Sequence, residues 1–297
     1  MNSSMVWADS LGASVPRARL RGAVHSVFPR ACNVLLEDSS VITLLAPEVG
    51  RSAHGIRVNA GKALRFDHLL GAGDRVELCE RSATFAPGGL EVELGSAMRW
   101  RDALAGVTLA PGPRALDPAH AEACDALRRE ASGLGCVFFG HAGSGAVAQA
   151  MAKLVKKQVP RLSRATAALD AAAAERAAAH LVGAGSGFTP AGDDFLIGWL
   201  AALALARGDH VGRISFLAAF AKRVAALRAR THPVSAQYLA DACQLRFSER
   251  LADFAAGLAG GEPLWREPLR RLLAVGHSSG ADAAAGLLTA LPLWQHT

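Results

Sequence analysis

The spacing of apolar residues changes near residue 110, and no other sequence feature restricts the possible folds as strongly. Before this point, short apolar-rich segments alternate with turn residues, and residues 90–94 alternate apolar and acidic side chains as in a half-buried strand. After it, apolar residues follow the period of amphipathic helices. The sequence therefore predicts an α+β fold, with a small β barrel or sheet domain followed by a mostly α-helical domain.

The predicted elements are bounded by turn and capping residues. The predicted strands are 23–28, 33–37, 41–45, 75–79 and 90–94, with a hairpin turn at 38–40. The predicted helices are 118–132, 146–157, 163–182, 190–206, 214–229, 233–243, 248–258, 263–275 and 280–291. Three prolines and a glycine within 110–118 favour a boundary between domains 1–110 and 111–297.

Composition and charge argue against several classes of protein. The formal net charge of +6 comes from scattered basic residues, whereas nucleic-acid binders concentrate them in a patch or stripe. The longest apolar stretch, 195–206, is shorter than the roughly 20 residues of a transmembrane helix, and no apolar signal segment opens the chain. The five cysteines are dispersed, without a CxxC pair. We therefore expect a cytoplasmic protein that binds neither nucleic acid nor membrane.

The run 183–194, Gly-Ala-Gly-Ser-Gly-Phe-Thr-Pro-Ala-Gly-Asp-Asp, is the sharpest functional signal. Its alternating glycines allow the backbone to approach a ligand closely. Thr189 followed by Pro190 predicts a helix start with a hydroxyl cap. Helix N termini bind small anions, because their free N–H groups and the helix dipole point outward. The candidate ligand-binding residues of this run are Gly185, Ser186, Gly187, Thr189 and Gly192.

This run does not match the standard nucleotide loops. In the Walker pattern, Asp193 and Asp194 would occupy the places of the lysine and the hydroxyl residue. In the dinucleotide-binding pattern, Phe188 stands where the third glycine should be, and an alanine-rich helix precedes the run instead of a strand. The sequence thus indicates an anion site of another kind.

The two aspartates permit two interpretations. Acidic side chains stabilise the first turn of a helix through its dipole, which requires no ligand. Alternatively, Asp193 or Asp194 contacts the ligand, as a catalytic base, as a hydrogen-bond acceptor or as a ligand of Mg²⁺, the one cofactor considered. Adjacent helical residues point about 100° apart, so both should not face one ligand, and the sequence leaves open which of them does.

A second glycine-bounded run, 276–282, contains His277, Ser279 and Asp282. Ser279 and Asp282 have the spacing of a variant capping box, but a histidine beside two hydroxyls also suits anion binding or acid–base catalysis. Because both runs open helices, we expect them to lie close together at one pocket. Two further candidate ligand-binding residues are His141, in a similar run at 140–145, and Arg30, which could clamp a carboxylate.

The runs 183–198 and 276–282 together resemble the bacterial family of AllH-type oxamate carbamoyltransferase subunits, many of whose members have no assigned function. Residues 24–36 and 54–58 are similar to the opening of that family, so the resemblance spans most of the chain. Phe188 departs from the leucine that the family tends to have. The resemblance implies a role in allantoin nitrogen recovery, where an assembly of three different subunits converts oxalurate and phosphate to oxamate and carbamoyl phosphate.

Three functional hypotheses follow. The first is a carbamoyltransferase subunit that handles a small anionic substrate together with other subunits of a hetero-oligomeric enzyme. In it, Asp193, Asp194 and His277 have catalytic roles, and Thr189, Ser279 and the glycine backbone bind the anion. The second is a non-catalytic metabolite-binding or regulatory partner, and the third is a metal-assisted hydrolase that uses Asp193 and Asp194 as metal ligands.

Overall fold

The computed structural model describes residues 4–59, 64–101, 104, 107, 117–130, 146–261 and 263–294. The chain divides into two compact units, Met1–Asp102 and Ala103–Thr297. Most of the boundary segment predicted at 110–118 lies outside the described residues.

The first unit is a closed β barrel. Its strands are β1 (Ser4–Gly12), β2 (Leu20–Val27), β3 (Ala31–Leu36), β4 (Val41–Leu45), β5 (Gly55–Asn59), β6 (Arg75–Leu78), β7 (Ser82–Ala86), β8 (Leu90–Glu93) and β9 (Met98–Trp100). The order is β5-β4-β3-β2-β6-β7-β8-β1, and pairing of β1 with β5 closes the ring. The short β9 pairs parallel to β1. Closure leaves the eight ring strands without an open edge.

The strand predictions are confirmed in β2, β3, β4, β6 and β8, with end shifts of up to three residues. In the β3–β4 hairpin, Asp38 accepts a hydrogen bond from the Ser40 N–H at 2.9 Å, so the side chain stabilises the turn. In β8, Leu90 and Val92 are buried whereas the alternating glutamates are partly exposed, as the apolar–acidic pattern predicts. The strands β1, β5, β7 and β9 were not predicted, because their alternation is interrupted by polar and small residues.

The second unit is helical. Its helices are α1 (Asp117–Glu130), α2 (Ala146–Ala167), α3 (Ala171–Ala178), α4 (Ala191–Ala206), α5 (Val211–Ala226), α6 (Pro233–Cys243), α7 (Glu249–Gly260), α8 (Arg266–Leu273) and α9 (Ser279–Ala290). The α+β prediction is thus confirmed. None of these helices is both long and apolar enough to cross a bilayer within the described ranges.

The single helix predicted at 163–182 is wrong. Instead, α2 ends at Ala167 and α3 begins after Asp170. Between them the backbone turns at Leu169, where φ is 56°. The Asp170 carboxylate caps α3 by accepting a hydrogen bond from the Ala173 N–H at 2.9 Å. A capping aspartate and a left-handed residue therefore outweigh the high helix propensity of the surrounding alanines.

Helices α4 and α9 form the centre of this unit. Nearly every residue of α4 is buried, as expected of a helix that is apolar on all sides. A Cβ added at Gly198 would lie 1.8 Å from the Ala283 carbonyl oxygen, and one at Gly286 would lie 1.9 Å from that of Phe195. The two backbones therefore touch without intervening side chains, and this close approach fixes the positions of the two helix starts.

Candidate functional site

The starts of α4 and α9 lie at the same end of the helix pair. The Thr189 Oγ1, just before α4, is 2.8 Å from the Ser279 Oγ in the first turn of α9. Farther along, Phe195 of α4 lies against Gly286 of α9, so the two helices run in the same direction. This hydroxyl pair confirms that the two glycine-bounded runs lie close together, whereas their opening on one pocket remains a prediction.

The predicted Thr189 cap of α4 is wrong by one residue. Pro190 is the N-cap, with φ = −54° and ψ = 139°, and no side chain caps the helix within the described residues. The Thr189 hydroxyl is instead turned toward Ser279. The capping-box interpretation of Ser279 and Asp282 is wrong as well, because Ser278 is the N-cap of α9 and Ser279 already lies inside the helix.

The glycine run adopts a conformation that side chains would disturb. Gly183, Gly185 and Gly187 have φ values of 74°, 127° and 91°, a region that favours glycine. A Cβ at Gly185 would lie 2.6 Å from the Ala191 N atom, which shows how closely the loop folds over the start of α4. Gly185, Ser186 and Gly187 are exposed, so their backbone groups are accessible to a ligand.

Gly192 has a packing role. A Cβ at this position would lie 2.1 Å from the Leu181 carbonyl oxygen, and its N–H donates to the Ala184 carbonyl at 2.8 Å. This amide is therefore already used to hold the loop against α4.

Asp193 joins three segments of the helical unit. Its Oδ1 accepts from the Gly183 N–H at 2.8 Å, and its Oδ2 accepts from the Ser235 hydroxyl at 2.7 Å and from the Thr231 hydroxyl. Burial raises the pKa of this carboxyl, whereas the three hydrogen bonds lower it. With donors on both oxygens, Asp193 anchors the glycine loop to the start of α6.

Sequence reasoning missed Thr231 and Ser235, the two hydroxyls that hold Asp193. A signal was available, since a hydroxyl residue that shortly precedes Pro233 marks the start of α6. That start lies beside the glycine loop, where Phe188 also packs edge-to-face on His232 with ring centroids 4.9 Å apart.

Asp194 points away from Asp193, as the helical phase predicts, and lies near Asp282 of α9. Asp194 is 7% exposed and Asp282 is fully buried. The hydroxyls of Ser279 and Thr189 hydrogen-bond to the Asp194 carboxylate, but its Oδ2 has no partner among the described residues. Neither oxygen of Asp282 meets hydrogen-bond geometry with any residue that the structure describes. These two carboxylates and two hydroxyls are called the helix-start cluster below.

Burial makes both carboxyls of the helix-start cluster weak acids. It raises the pKa of Asp194 well above its ordinary value, and the negative charges of Asp282 and Asp193 raise it further, whereas the hydroxyls of Ser279 and Thr189 lower it. Burial raises the pKa of Asp282 to about 7, and the nearby Ser278 hydroxyl opposes this shift only in part. The pair therefore retains at least one proton near neutral pH, since an unpaired buried charge is strongly unfavourable.

The remaining candidates occupy different environments. His277 is exposed beside the start of α9. Arg30 belongs to the barrel unit, where it forms an ion pair with Glu48 at 2.7 Å and donates to the Leu64 carbonyl at 2.9 Å. His141 lies outside the described residues.

Few carboxylate oxygens near the starts of α4 and α9 are available to a metal ion. Asp193 already accepts three hydrogen bonds, so the unpartnered oxygens belong to Asp194 and Asp282. Within the described ranges, no group of three or more His, Cys, Asp and Glu side chains could hold a metal ion. The prediction that Asp193 and Asp194 bind Mg²⁺ remains a prediction, although both oxygens of Asp193 already accept hydrogen bonds.

The fold and the cluster define an α+β protein that combines a closed eight-stranded barrel with a helical unit holding two protonatable carboxylates at paired helix starts. A family model described as oxamate carbamoyltransferase subunit AllH matches residues 181–291, which include both glycine-bounded runs. A second model, described as the AllH family N-terminal domain, matches residues 4–99, the barrel. The chain belongs to the AllH family. Searches of the curated proteins and of the solved structures return no significant match.

Proposed function

We propose that this chain is a carbamoyltransferase subunit that binds a small anionic substrate at the starts of α4 and α9. The family description, an oxamate carbamoyltransferase subunit, supports this class of enzyme. The observation that carries the site assignment is the helix-start cluster, because buried carboxylate oxygens without hydrogen-bond partners, such as Oδ2 of Asp194 and both oxygens of Asp282 among the described residues, are rare in proteins unless they have a function. The substrates proposed are oxalurate or oxamate, phosphate and carbamoyl phosphate, in allantoin nitrogen recovery.

The anion is proposed to bind at the exposed backbone of Gly185 to Gly187. The dipoles of α4 and α9 add there, since the two helices start at the same end. A charged Asp194 would oppose binding, because two like charges about 4 Å apart repel by roughly 4 kcal/mol at an effective dielectric constant of 20. The raised pKa of Asp194 removes this conflict, as a protonated carboxyl does not repel the anion.

The chemistry proposed requires a group that moves one proton. When an oxygen of hydrogen phosphate attacks the carbamoyl carbon of oxalurate, the bond between this carbon and the oxamate nitrogen breaks. The attacking phosphate gives up one proton, and the departing oxamate nitrogen gains one, so the exchange balances without any other reactant. Proton transfer of this kind by a positioned side chain typically contributes 10²–10⁴-fold to the rate.

The helix-start cluster fits this task. Asp194 is buried, but the hydroxyls of Thr189 and Ser279 hydrogen-bond to its carboxyl and are themselves partly exposed. These hydroxyls can donate and accept at the same time. They would pass a proton between the substrate at the glycine loop and Asp194, while Asp282 keeps the pKa of Asp194 high.

The test is phosphate-dependent formation of carbamoyl phosphate from oxalurate by the chain with its partner subunits. We expect Asp194→Asn to lower kcat by about 100-fold or more. The amide of Asn has the shape and the neutral charge of a protonated carboxyl, but it cannot release a proton. Thr189→Val should also lower kcat. The matched control is Thr289→Val, since the Thr289 hydroxyl donates to the Ala285 carbonyl of its own helix. Unchanged kcat in Asp194→Asn would refute the catalytic assignment.

Calorimetric titration of the purified chain separates binding from chemistry. Phosphate should bind with similar affinity to the wild-type protein and to Asp194→Asn, and Mg²⁺ should change this affinity little if Asp194 is protonated. A marked rise in phosphate affinity on adding Mg²⁺, lost in Asp194→Asn, would instead favour a metal-assisted site. Binding of phosphate without any effect of Asp194→Asn on turnover would favour the non-catalytic, metabolite-binding role.

A further inference from the structure

We propose that the cleft between α2 and α3 binds a second ligand, a small metabolite with at least two phosphate or carboxylate groups. The cleft has a volume of about 540 Å³, within the range of small-molecule sites. Its residues are distinct from those of the helix-start cluster, so this proposal does not depend on the proposed function. The polar and charged side chains that line it are Gln158, Arg161, Arg164, Asp170, Arg176 and His180.

The positive charge of the cleft comes from one face of each helix. Arg161 and Arg164 lie one turn apart on α2, and Arg176 approaches from α3 across the turn that joins the two helices. All three arginines are exposed, and none forms an ion pair with another described residue. Glu175, the acidic neighbour of Arg176 in the sequence, is already paired with Arg223 at 2.5 Å.

The one acidic residue of the lining does not neutralise this charge. Asp170 directs its carboxylate to the Ala173 N–H at the start of α3, at 2.9 Å. The lining therefore holds three guanidinium groups, which remain protonated at all physiological pH values, against one carboxylate, so positive charge remains in excess. An anion with two charged groups can be bound by two arginines at once, with charge-assisted hydrogen bonds to each.

A second, independent observation points to a ligand. Gln158 is 2% exposed and lines the cleft, yet its Oε1 has no hydrogen-bond partner within the described part of the chain. A buried amide oxygen without a partner is unfavourable unless a ligand supplies the missing donor. Rotation of the amide exchanges its donor and acceptor groups, so Gln158 can bind a hydroxyl, an N–H group or an anionic oxygen at the floor of the cleft.

The experiment is calorimetric titration of the full chain with inorganic pyrophosphate, a compact probe with two linked anionic groups. We expect the double variant Arg161→Gln, Arg164→Gln to bind at least about tenfold more weakly than the wild-type protein. The matched control is Arg228→Gln, which removes an exposed arginine outside the cleft and should leave the affinity unchanged. Absence of pyrophosphate binding, or equal weakening in the double variant and in the control, would overturn the proposal.

Gln158→Leu distinguishes a binding role from a purely structural one. Replacing an unpartnered buried amide by an apolar side chain of similar volume should leave Tm unchanged or raise it. The same substitution should weaken pyrophosphate binding several-fold, because the floor of the cleft loses its hydrogen-bonding group. Unchanged affinity in Gln158→Leu with an intact fold would also contradict the proposed site.

Discussion

Replacing Asp282 by Asn should change how the stability of the protein depends on pH. The substitution keeps the shape of the side chain and removes its titration. In the folded protein the pKa of Asp282 is raised from 3.8 to about 7, whereas the unfolded chain has the ordinary value. The folded state therefore holds the proton more tightly, and the corresponding stability is present below about pH 4 and is lost as the pH rises through 7.

The magnitude follows from the size of the shift. One pKa unit corresponds to 1.36 kcal/mol, so a shift of about three units is equivalent to roughly 4 kcal/mol over the whole titration. Between pH 5 and pH 8, the free energy of unfolding of the wild-type protein should fall by about 2.5 kcal/mol because of this group alone. Asp282→Asn should not show this loss. Because the charge of Asp282 also raises the pKa of Asp194, the loss due to Asp194 should become smaller too.

The assay is urea unfolding at pH 5 and at pH 8, followed by tryptophan fluorescence, with Trp199, Trp265 and Trp294 buried in the helical unit. The control variant is Asp209→Asn, which changes an exposed aspartate of the same unit and should follow the wild-type protein. If the free energy of unfolding of Asp282→Asn falls with pH as steeply as that of the wild-type protein, then Asp282 is not a buried, protonated carboxyl.

Two further predictions concern the packing around the cluster. Gly286→Ala should lower the free energy of unfolding by about 3 kcal/mol, because its Cβ would lie 1.9 Å from the Phe195 carbonyl oxygen. Thermal unfolding measures this loss. The control is Gly71→Ala, whose Cβ would make only an ordinary contact. If both variants have the same Tm, the close approach of α4 and α9 is contradicted. Ser235→Ala should lower the free energy of unfolding by about 1–3 kcal/mol. The loss should be larger at pH 8 than at pH 5, since the hydrogen bond that is removed lowers the pKa of Asp193. If urea unfolding of the variant matches that of the wild-type protein at pH 8, this bond does not contribute to stability.

The class of fold could be predicted from local sequence, because the periods of strands and helices are set by backbone geometry. The helix predicted at 233–243 coincides with α6 (Pro233–Cys243), since proline at the first helical position is a strong local signal. The prediction at 163–182 failed where Leu169 takes a left-handed conformation. There the Asp170 cap at the start of α3 outweighs the helix propensity of the neighbouring alanines.

The sequence by itself also placed the candidate site at two helix starts and required Asp193 and Asp194 to diverge, because adjacent helical side chains point about 100° apart. Only the tertiary structure decided what each of them contacts. Asp193 meets the donors of Gly183 and α6, whereas Asp194 meets Asp282, which is 88 positions away in the sequence. The contact between α4 and α9, through Gly198 and Gly286, brings these two carboxylates together. The shared pattern of glycine-bounded helix starts predicts that the two runs meet. Which of the two aspartates faces Asp282 depends on how the helices pack, and packing between residues so far apart in the sequence leaves no local pattern.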